Sequence, residues 1–298
     1  MTTDTHCGYV ALIGRPNVGK STLLNHILGQ KISITSRKPQ TTRHQILGVK
    51  TEGNQQMVFV DTPGMHVKEV KAINRVMNRA AESVLKEVDV IVWLVDQHWT
   101  PEEDRILQKL ASNNIPVILA VNKIDMVKDK KQLLPYLQEV SPRYAFADVI
   151  PVSAKNGQQV DVLEKKLAEF MPAMPFLFAE DQVTDRTERF LAAEIVREKL
   201  MRFLGQELPY SVTVEIDLFK ENEDGLLEIA ATILVERNSQ KAMIIGKGGS
   251  KLKEIGREAR LDMKRAFDQK VFLQLWVKVK SGWSDDERAL KSLGYEYC

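Results

Sequence analysis

The sequence predicts an α/β domain built on a mostly parallel, doubly wound sheet, followed by a smaller α+β module. Three observations carry this. Short apolar, β-rich runs alternate with helical stretches through the first half. Several of those runs show no polar alternation, as strands covered on both faces tend not to. The alternation ends near Met171-Pro-Ala-Met-Pro175, and the elements beyond it follow another order.

In chain order, the expected strands of the first half are Tyr9–Ile13, Val58–Asp61, Val90–Val95, Val117–Val121 and Val149–Val152. His44–Lys50 and Gln56–Val60 flank Glu52-Gly-Asn54, which predicts an antiparallel hairpin. Ser21–Leu28, Ala72–Lys86 and Glu102–Leu110 read as helices. Two prolines so close together cannot continue a helix, so residues 172–186 read as a linker between domains at 1–171 and 187–298. Asp185 and Glu188 have capping-box spacing ahead of a helix that places Phe190, Ala193, Val196, Leu200 and Phe203 on one face and stops at Gly205. Strands Ser211–Phe219 and Leu227–Glu236 follow, then helices Ser239–Ile245 and Ser250–Phe267. The final strand, Val271–Lys280, points Val271, Leu273, Leu275, Val277 and Val279 inward. Ser284 with Glu287 reads as one more helix start rather than an acidic metal cluster.

Composition bounds the function classes. A chain of 298 residues, 44% hydrophobic and 28% charged, has material for about two globular cores and argues against extended disorder. The net charge of +2 excludes a wholly basic nucleic-acid coat but leaves room for a local patch. The longest apolar run, Val88–Val95, is broken by Asp89 and is far too short to span a bilayer. The first residues lack a signal-peptide core. Cys7 and Cys298 match no metal spacing, nor do the five histidines. A soluble protein of a reducing cytoplasm is expected.

Gly14-Arg15-Pro16-Asn17-Val18-Gly19-Lys20-Ser21 fits G-x-x-x-x-G-K-[ST] in full, between a strand and a helix that opens Ser21-Thr22. Backbone N–H groups of such a loop wrap phosphates where the helix dipole favours negative charge. Lys20 would neutralise β and γ oxygens, and Ser21 would offer its hydroxyl to Mg²⁺. Asp61-Thr62-Pro63-Gly64 follows an apolar strand. Asp61 there would hold Mg²⁺ through water, and the Gly64 N–H would reach the γ-phosphate. Taken alone this is an ordinary turn; paired with the phosphate loop it is a phosphate sensor.

The polar segment Gln30–Arg43 carries Thr41 and Thr42. Either hydroxyl could complete the metal shell when the triphosphate is bound; Thr42 is favoured. Lys20, Thr42 and Gly64 are thus the groups expected at the transferring phosphoryl. Arg37, Lys38 and Arg43 could assist its charge, although loop cations are usually just solvated.

Asn122-Lys123-Ile-Asp125 and Ser153-Ala154-Lys155 follow the next strands. A carboxylate at Asp125 accepts both the N1–H and the exocyclic amine of guanine, a donor pair adenine lacks. Asn122 would brace the loop and approach N7, the Lys123 stem would lie along the base, and the S-A-K turn would give a backbone N–H to O6. Each motif alone arises easily by chance. In this order, each after a strand, the four are specific.

Ile244-Ile-Gly246-Lys247-Gly248-Gly249 holds a G-x-x-G loop between two helices, with Lys251 close behind. Such a loop clamps a nucleic-acid backbone when set in an α-β-β-α-α-β module, the order of a type II KH fold. Between Lys241 and Lys270 nine basic residues face four acidic ones, although a solvated helix would also look like this.

The four nucleotide motifs resemble the translation-factor-related GTPases. Gly14-Arg-Pro-Asn17, Lys38-Pro-Gln-Thr-Thr-Arg-His44 and Asp61-Thr-Pro-Gly64 are similar to the bacterial Era family of small-subunit assembly GTPases. So are Arg197-Glu-Lys-Leu-Met-Arg-Phe-Leu-Gly205, Leu208-Pro-Tyr-Ser-Val212 and Trp276-Val-Lys-Val-Lys-Ser-Gly-Trp283, so the likeness covers the chain. It implies an α/β P-loop GTPase domain followed by a type II KH domain. It implies a monomeric, Mg²⁺-dependent enzyme that binds GTP, GDP and the 3′ end of 16S ribosomal RNA and acts on the 30S subunit. It also implies partial association with the cytoplasmic face of the inner membrane, for which no strongly amphipathic anchor is visible. Met65 stands where many GTPases carry a water-orienting Gln, and a thioether cannot do that job, so a slow intrinsic rate is implied. Asn17 matches a position that coordinates a monovalent cation such as K⁺ in related enzymes; bracing of the loop is the other reading. A second class remains open, a regulatory GTPase that recruits proteins or docks at a membrane with its KH module as the contact. So does a third, in which the nucleotide is purely structural.

Overall fold

The structure, a computed structural model, describes residues 4–36, 38, 41–63, 72–84, 87–111, 114–127, 131, 133–205, 212–293 and 295. Arg37, Gly64 and Met65, the expected helix end at Lys86 and the strand start at Ser211 lie outside them. The chain divides into two compact units. The first takes in Met1–Ser33, Thr42–Glu69 and Met77–Asp185; the second takes in Ile34–Thr41, Val70–Val76 and Arg186–Cys298.

The first unit is built on six strands: β1 His6–Ile13, β2 Ile46–Glu52, β3 Gln55–Asp61, β4 Val90–Val95, β5 Val117–Val121 and β6 Asp148–Pro151. They lie in the order β2-β3-β1-β4-β5-β6. Only β2 runs antiparallel, as the hairpin about Gly53 dictates; the other pairings are parallel. All residues of β4 and β5 are buried, which is why those strands read as unbroken apolar runs. Among them run α1 Lys20–Leu28, α3 Pro101–Leu110, α4 Leu133–Val140 and α5 Val160–Ala168, while α2 Ala72–Val84 belongs to this unit only from Met77 onward. Thr100 caps α3 in a full capping box with Glu103.

Residues 172–185 are not a free linker. The Cys7 N–H donates to the Pro172 carbonyl at 3.0 Å and the Val49 N–H to that of Val183 at 2.8 Å. The fully buried Gln56 accepts from the amides of Leu177 and Phe178 at 2.9 and 3.0 Å. Prolines forbid a helix here, and the extended backbone satisfies its polar groups along β1 and the edge strand β2 instead.

The second unit carries α6 Glu188–Phe203, β7 Val212–Glu221, β8 Leu226–Val235, α7 Asn238–Ile245, α8 Ser250–Ala266, β9 Lys270–Val279 and α9 Glu287–Ser292. Strand β7 pairs antiparallel with β8, which pairs parallel with β9. Ile255, Ala259 and Met263, one turn apart on α8, close a core with Val196 and Leu200 of α6 and Ile229, Ala231 and Ile233 of β8.

Four details differ from the sequence expectation. Thr187, not Asp185, caps α6, its hydroxyl accepting from the Phe190 N–H at 3.2 Å. Asp286, not Ser284, caps α9; the Ser284 hydroxyl bonds Glu236. Val279 is 39% exposed at the end of β9 rather than turned inward. Finally, α6 is buried over far more than one stripe, because Glu194, Arg197, Glu198 and Lys199 are buried alongside its apolar residues. No helix among the described residues is long and apolar enough to cross a membrane.

Candidate nucleotide site and RNA-binding loop

The loops that follow β1, β3, β5 and β6 leave the carboxyl ends of neighbouring strands, where parallel sheets of this kind bind ligands. The phosphate loop turns out of β1 through Gly14 and enters α1 at Gly19. A Cβ on Gly19 would sit 2.3 Å from Asn122 Nδ2, and its φ of 108° is one that side chains avoid. The bare glycine lets two motifs meet: Asn122 Nδ2 donates to the Val18 carbonyl at 2.7 Å. Lys20 Nζ donates to the carbonyls of Gly14 at 2.9 Å and Arg15 at 3.1 Å. Burial pulls the Lys20 ammonium down to about 8, with Asp61 opposing the shift. Phosphate oxygens beside it would favour the charged form and push it back up.

Ser21, Thr42 and Asp61 converge. Ser21 Oγ lies 2.9 Å from Thr42 Oγ1 and donates to Asp61 Oδ2 at 2.7 Å. Ser33, a residue no motif singles out, donates its hydroxyl to the same Oδ2 at 2.9 Å. Asp61 is fully buried and its other oxygen, Oδ1, has no hydrogen-bond partner among the described residues. Burial pushes this carboxyl up, opposed by Lys20 and by the hydroxyls of Ser21 and Ser33. A buried carboxylate with a spare oxygen and neighbouring hydroxyl oxygens, an all-oxygen set, suits a hard divalent cation such as Mg²⁺. Of the two threonines, Thr42 is at this cluster. Thr41 Oγ1 is engaged with Ser36 Oγ and the Lys38 carbonyl, both at 2.6 Å.

Of the loop cations, the two that are described, Lys38 and Arg43, are not solvated bystanders. Arg43 is fully buried, and Lys38 donates to the carbonyls of Leu204 and Gly205. The Arg15 side chain pairs with Asp96 and with buried Glu103, so its place in the phosphate loop is held by backbone. Thr62 Oγ1 donates to the Leu12 carbonyl at 3.1 Å, tying the start of D-T-P-G to β1. Asn17 is exposed, with a left-handed φ of 65°.

At the base-reading loops, Asn122 Oδ1 accepts from the amides of Lys123 at 2.7 Å and Ala154 at 2.9 Å. The side chain is therefore a brace between N-K-x-D and S-A-K, as expected of one of its two roles. The Ser153 amide bonds the Gln158 carbonyl at 3.0 Å. Ser153 and Ala154 are thus committed, and the amide of this turn that neither bond uses is that of Lys155. Asp125 is exposed, and its Oδ1 accepts from Ser153 Oγ at 2.7 Å, which orients the carboxylate. Lys123 Nζ sits 3.3 Å from Asp96, extending its stem across the loop.

In the second unit the loop between α7 and α8 is bare. Gly246, Gly248 and Gly249 have φ of 71°, 59° and 78°. A Cβ on Gly246 would meet Lys251 Cβ at 2.8 Å, while one on Gly248 would meet nothing within 4 Å. Lys247 is exposed beside them and Gly249 opens α8. Open backbone, a cation and a helix N-terminus together make an anion-accepting surface.

Residues 9–123 match the sequence profile of the family described as "50S ribosome-binding GTPase", and residues 207–284 match that of the KH domain. Fold and site therefore define a phosphate-loop GTPase that carries a KH domain. The chain is 60% identical over 294 residues to GTPase Era of Vibrio parahaemolyticus, covering 98% of this chain and 92% of that one. It is 59% identical to GTPase Era of Haemophilus influenzae, covering 98% and 97%. A crystal structure of Aquifex aeolicus Era bound to GDP and AlF4⁻ superposes with a TM-score of 0.94 at 39% identity, covering 98% of this chain and all of that one. Era in complex with MgGDPNP and nucleotides 1506–1542 of 16S ribosomal RNA gives 0.94 at 40% identity, also covering 98% of this chain. This chain belongs to the Era family of GTPases.

Proposed function

We propose that this GTPase binds 16S ribosomal RNA near its 3′ end through Gly246–Gly249, Lys247 and Lys251, and that hydrolysis of GTP resets the RNA-bound state during 30S subunit assembly. The observation that carries the nucleotide half is the cluster of Ser21, Thr42 and the spare oxygen of buried Asp61 beside Lys20. Residues 14–22 cradle the phosphates. Lys20 exchanges its two loop carbonyls for phosphate oxygens. Ser21 and Thr42 would offer hydroxyls to Mg²⁺, and Asp61 would hold it through water; the ion, when bound, would neutralise charge developing on the β and γ oxygens. The Gly64 N–H completes the γ-phosphate contacts. No glutamine follows Gly64, so water is positioned by backbone or by a partner, and intrinsic hydrolysis is slow. Asp125, Asn122, Lys123 and Ser153–Lys155 select and hold guanine. The RNA half draws its support from the type II KH order, the open G-x-x-G loop and the relative solved with 16S ribosomal RNA. A monomer acting in the cytoplasm is the corresponding state.

Chemical footprinting of small-subunit ribosomal RNA, with the protein loaded with GDP or GDPNP, tests the reading. Protection confined to the 3′ end is expected. Protection elsewhere, or none, overturns it.

Asn17 gives a separate expectation. K⁺ should stimulate hydrolysis over Na⁺, a cation at that exposed loop position supplying part of the electrostatic role of an arginine finger. Equal rates in matched K⁺ and Na⁺ buffers would leave Asn17 as a brace.

A further inference from the structure

Two residues that no motif singles out, Asp96 and Gln97, follow β4 and lie beside the base-reading loop of the same unit. Asp96 divides its two oxygens between two nucleotide motifs. Its Oδ1 accepts from Arg15 Nη2 of the phosphate loop, and its Oδ2 lies 3.3 Å from Lys123 Nζ of N-K-x-D. The Arg15 side chain is held from its other side, its Nε 2.7 Å from Oε1 of fully buried Glu103. Glu103 is fixed in turn by the cap of α3, its Oε2 accepting from the Thr100 N–H at 2.8 Å. The backbone at Asp96 is anchored as well: Tyr136 Oη donates to its carbonyl at 2.8 Å. A chain of alternating charge therefore runs from a helix cap through Arg15 and Asp96 to Lys123.

Lys123 is held at each of its polar groups. Its N–H donates to Asn122 Oδ1 at 2.7 Å, its carbonyl accepts from Gln97 Nε2 at 3.1 Å and from the Met126 N–H at 2.9 Å, and its ammonium pairs with Asp96. The backbone so held has a left-handed φ of 67°, where lysine is seldom found. Such a conformation persists only where the surroundings over-determine it, and it gathers at ligand-binding sites. Solvated surface ion pairs contribute little, but the Asp96 side chain is only 19% exposed and serves two cations at once. A lysine stem samples many rotamers when free; fixing its ammonium gives it one direction.

We propose that Asp96, with Gln97, is a positioning residue for guanine nucleotides: it aims the Lys123 stem along the base, while Arg15 and Glu103 hold Asp96 in place. This rests on the reading of Lys123 as a base contact. A side chain ordered in advance costs less on binding than one the ligand must order. The base is common to GDP and GDPNP, so Asp96 strengthens the binding of both by the same factor, unlike a group that acts on the γ-phosphate.

The test measures equilibrium binding of GDP and of GDPNP at saturating Mg²⁺. Lys123→Ala, which deletes the stem, sets the scale. Asp96→Asn keeps the shape of the side chain and leaves Arg15 paired with Glu103. It is expected to weaken both nucleotides by about 2–10-fold, the usual cost of immobilising one flexible side chain, with their ratio held within about twofold. Lys123→Met, which keeps a stem but cannot pair with Asp96, should lose a similar factor. Asp96→Asn combined with Lys123→Met should lose little beyond either alone, because both remove one interaction. A merely structural Asp96 would lower the melting temperature and cost the same factor in the wild-type and Lys123→Met backgrounds; that result overturns the proposal. So does a shift in the GDPNP-to-GDP ratio, which would place the effect of Asp96 on the phosphate loop through Arg15. If Lys123→Ala weakens both nucleotides and Asp96→Asn does not, the proposal falls and the base-contact reading stands. If Lys123→Ala has no effect, that reading falls and takes the proposal with it. Should Asp96→Asn fail to fold, Gln97→Met decides, since it withdraws the donor from the Lys123 carbonyl without touching a charge. A loss of the same size that vanishes in the Lys123→Ala background supports the proposal, and no loss overturns it.

Discussion

Asp125→Asn is expected to convert this GTPase from guanine to xanthine nucleotides. On the proposed reading, the carboxylate takes two hydrogen bonds from guanine, from N1–H and from the exocyclic amine. Hydrogen bonds to a charged group are worth about 1.5–3 kcal/mol each; the carboxamide keeps only a neutral acceptor for N1–H and turns an N–H against the exocyclic amine, so the cost is about 3–6 kcal/mol. At about 1.4 kcal/mol per factor of ten, GDP affinity should fall by roughly 10²–10⁴-fold. Xanthine carries an oxygen where guanine has its amine, and the carboxamide offers that oxygen a donor. The substitution leaves the scaffold intact. Asp125 is exposed, and an Asn oxygen can still accept from Ser153 Oγ, which holds the present carboxylate at 2.7 Å. Equilibrium titration with GDP and XDP decides the point. Unchanged GDP preference would remove Asp125 from base reading and leave selectivity to the Lys155 amide.

The nucleotide site was legible because each of its motifs is a local statement. A glycine-rich turn after a strand, or a carboxylate at a strand end, needs only that strand to be placed correctly. Strands such as Val90–Val95 and Val117–Val121 are buried throughout and coincide with their apolar runs. Less legible were groups whose role depends on distant partners. Ser33 joins Asp61 across 28 residues with no spacing that marks it. Its signal is only a hydroxyl in a polar loop, which most such hydroxyls share.

Helix α6 shows the limit most clearly. Apolar periodicity there predicts one buried stripe and assigns every charge to solvent. Glu194, Arg197 and Glu198 are buried because loop backbone and neighbouring charges satisfy them. Hydrophobic patterning cannot register a charge that is buried by being paired. The caps fail for a different reason. Asp185 and Thr187 are both good N-cap types two residues apart, as are Ser284 and Asp286, and spacing to a glutamate does not choose between them. Helix α4 packs Leu133, Tyr136, Leu137 and Val140 against the core of the first unit, but it is only eight residues long and carries Pro135, so its apolar stripe is too short and interrupted to read as a helix.

Replacing Lys247 and Gly248 with aspartates is expected to abolish most RNA binding and spare GTP hydrolysis. The two residues sit at the tip of the loop between α7 and α8, and Lys247 is exposed. Their replacement removes one cation and adds two anions where a phosphate backbone would lie. Loss of a phosphate contact alone lowers the salt slope of binding by about 1. With repulsion added, affinity should fall by roughly 10–100-fold, or about 1.4–2.8 kcal/mol. The loop itself should tolerate the change. A side chain at Gly248 meets no atom within 4 Å, and aspartate adopts its φ of 59° more readily than most residues, at a cost of about 1–2 kcal/mol. Gly246 would be the wrong place for the test, since a Cβ there collides with Lys251. The G-x-x-G loop and the phosphate loop belong to separate compact units, so single-turnover hydrolysis without RNA is the control. Gly248→Ala separates charge from backbone: it carries at least as much φ strain with no added anion, and should lose far less affinity than the double variant. Filter binding to an oligonucleotide of the ribosomal RNA 3′ end gives the answer. Wild-type affinity in the double variant, with hydrolysis intact, would mean that RNA binds this chain elsewhere than on Gly246–Gly249.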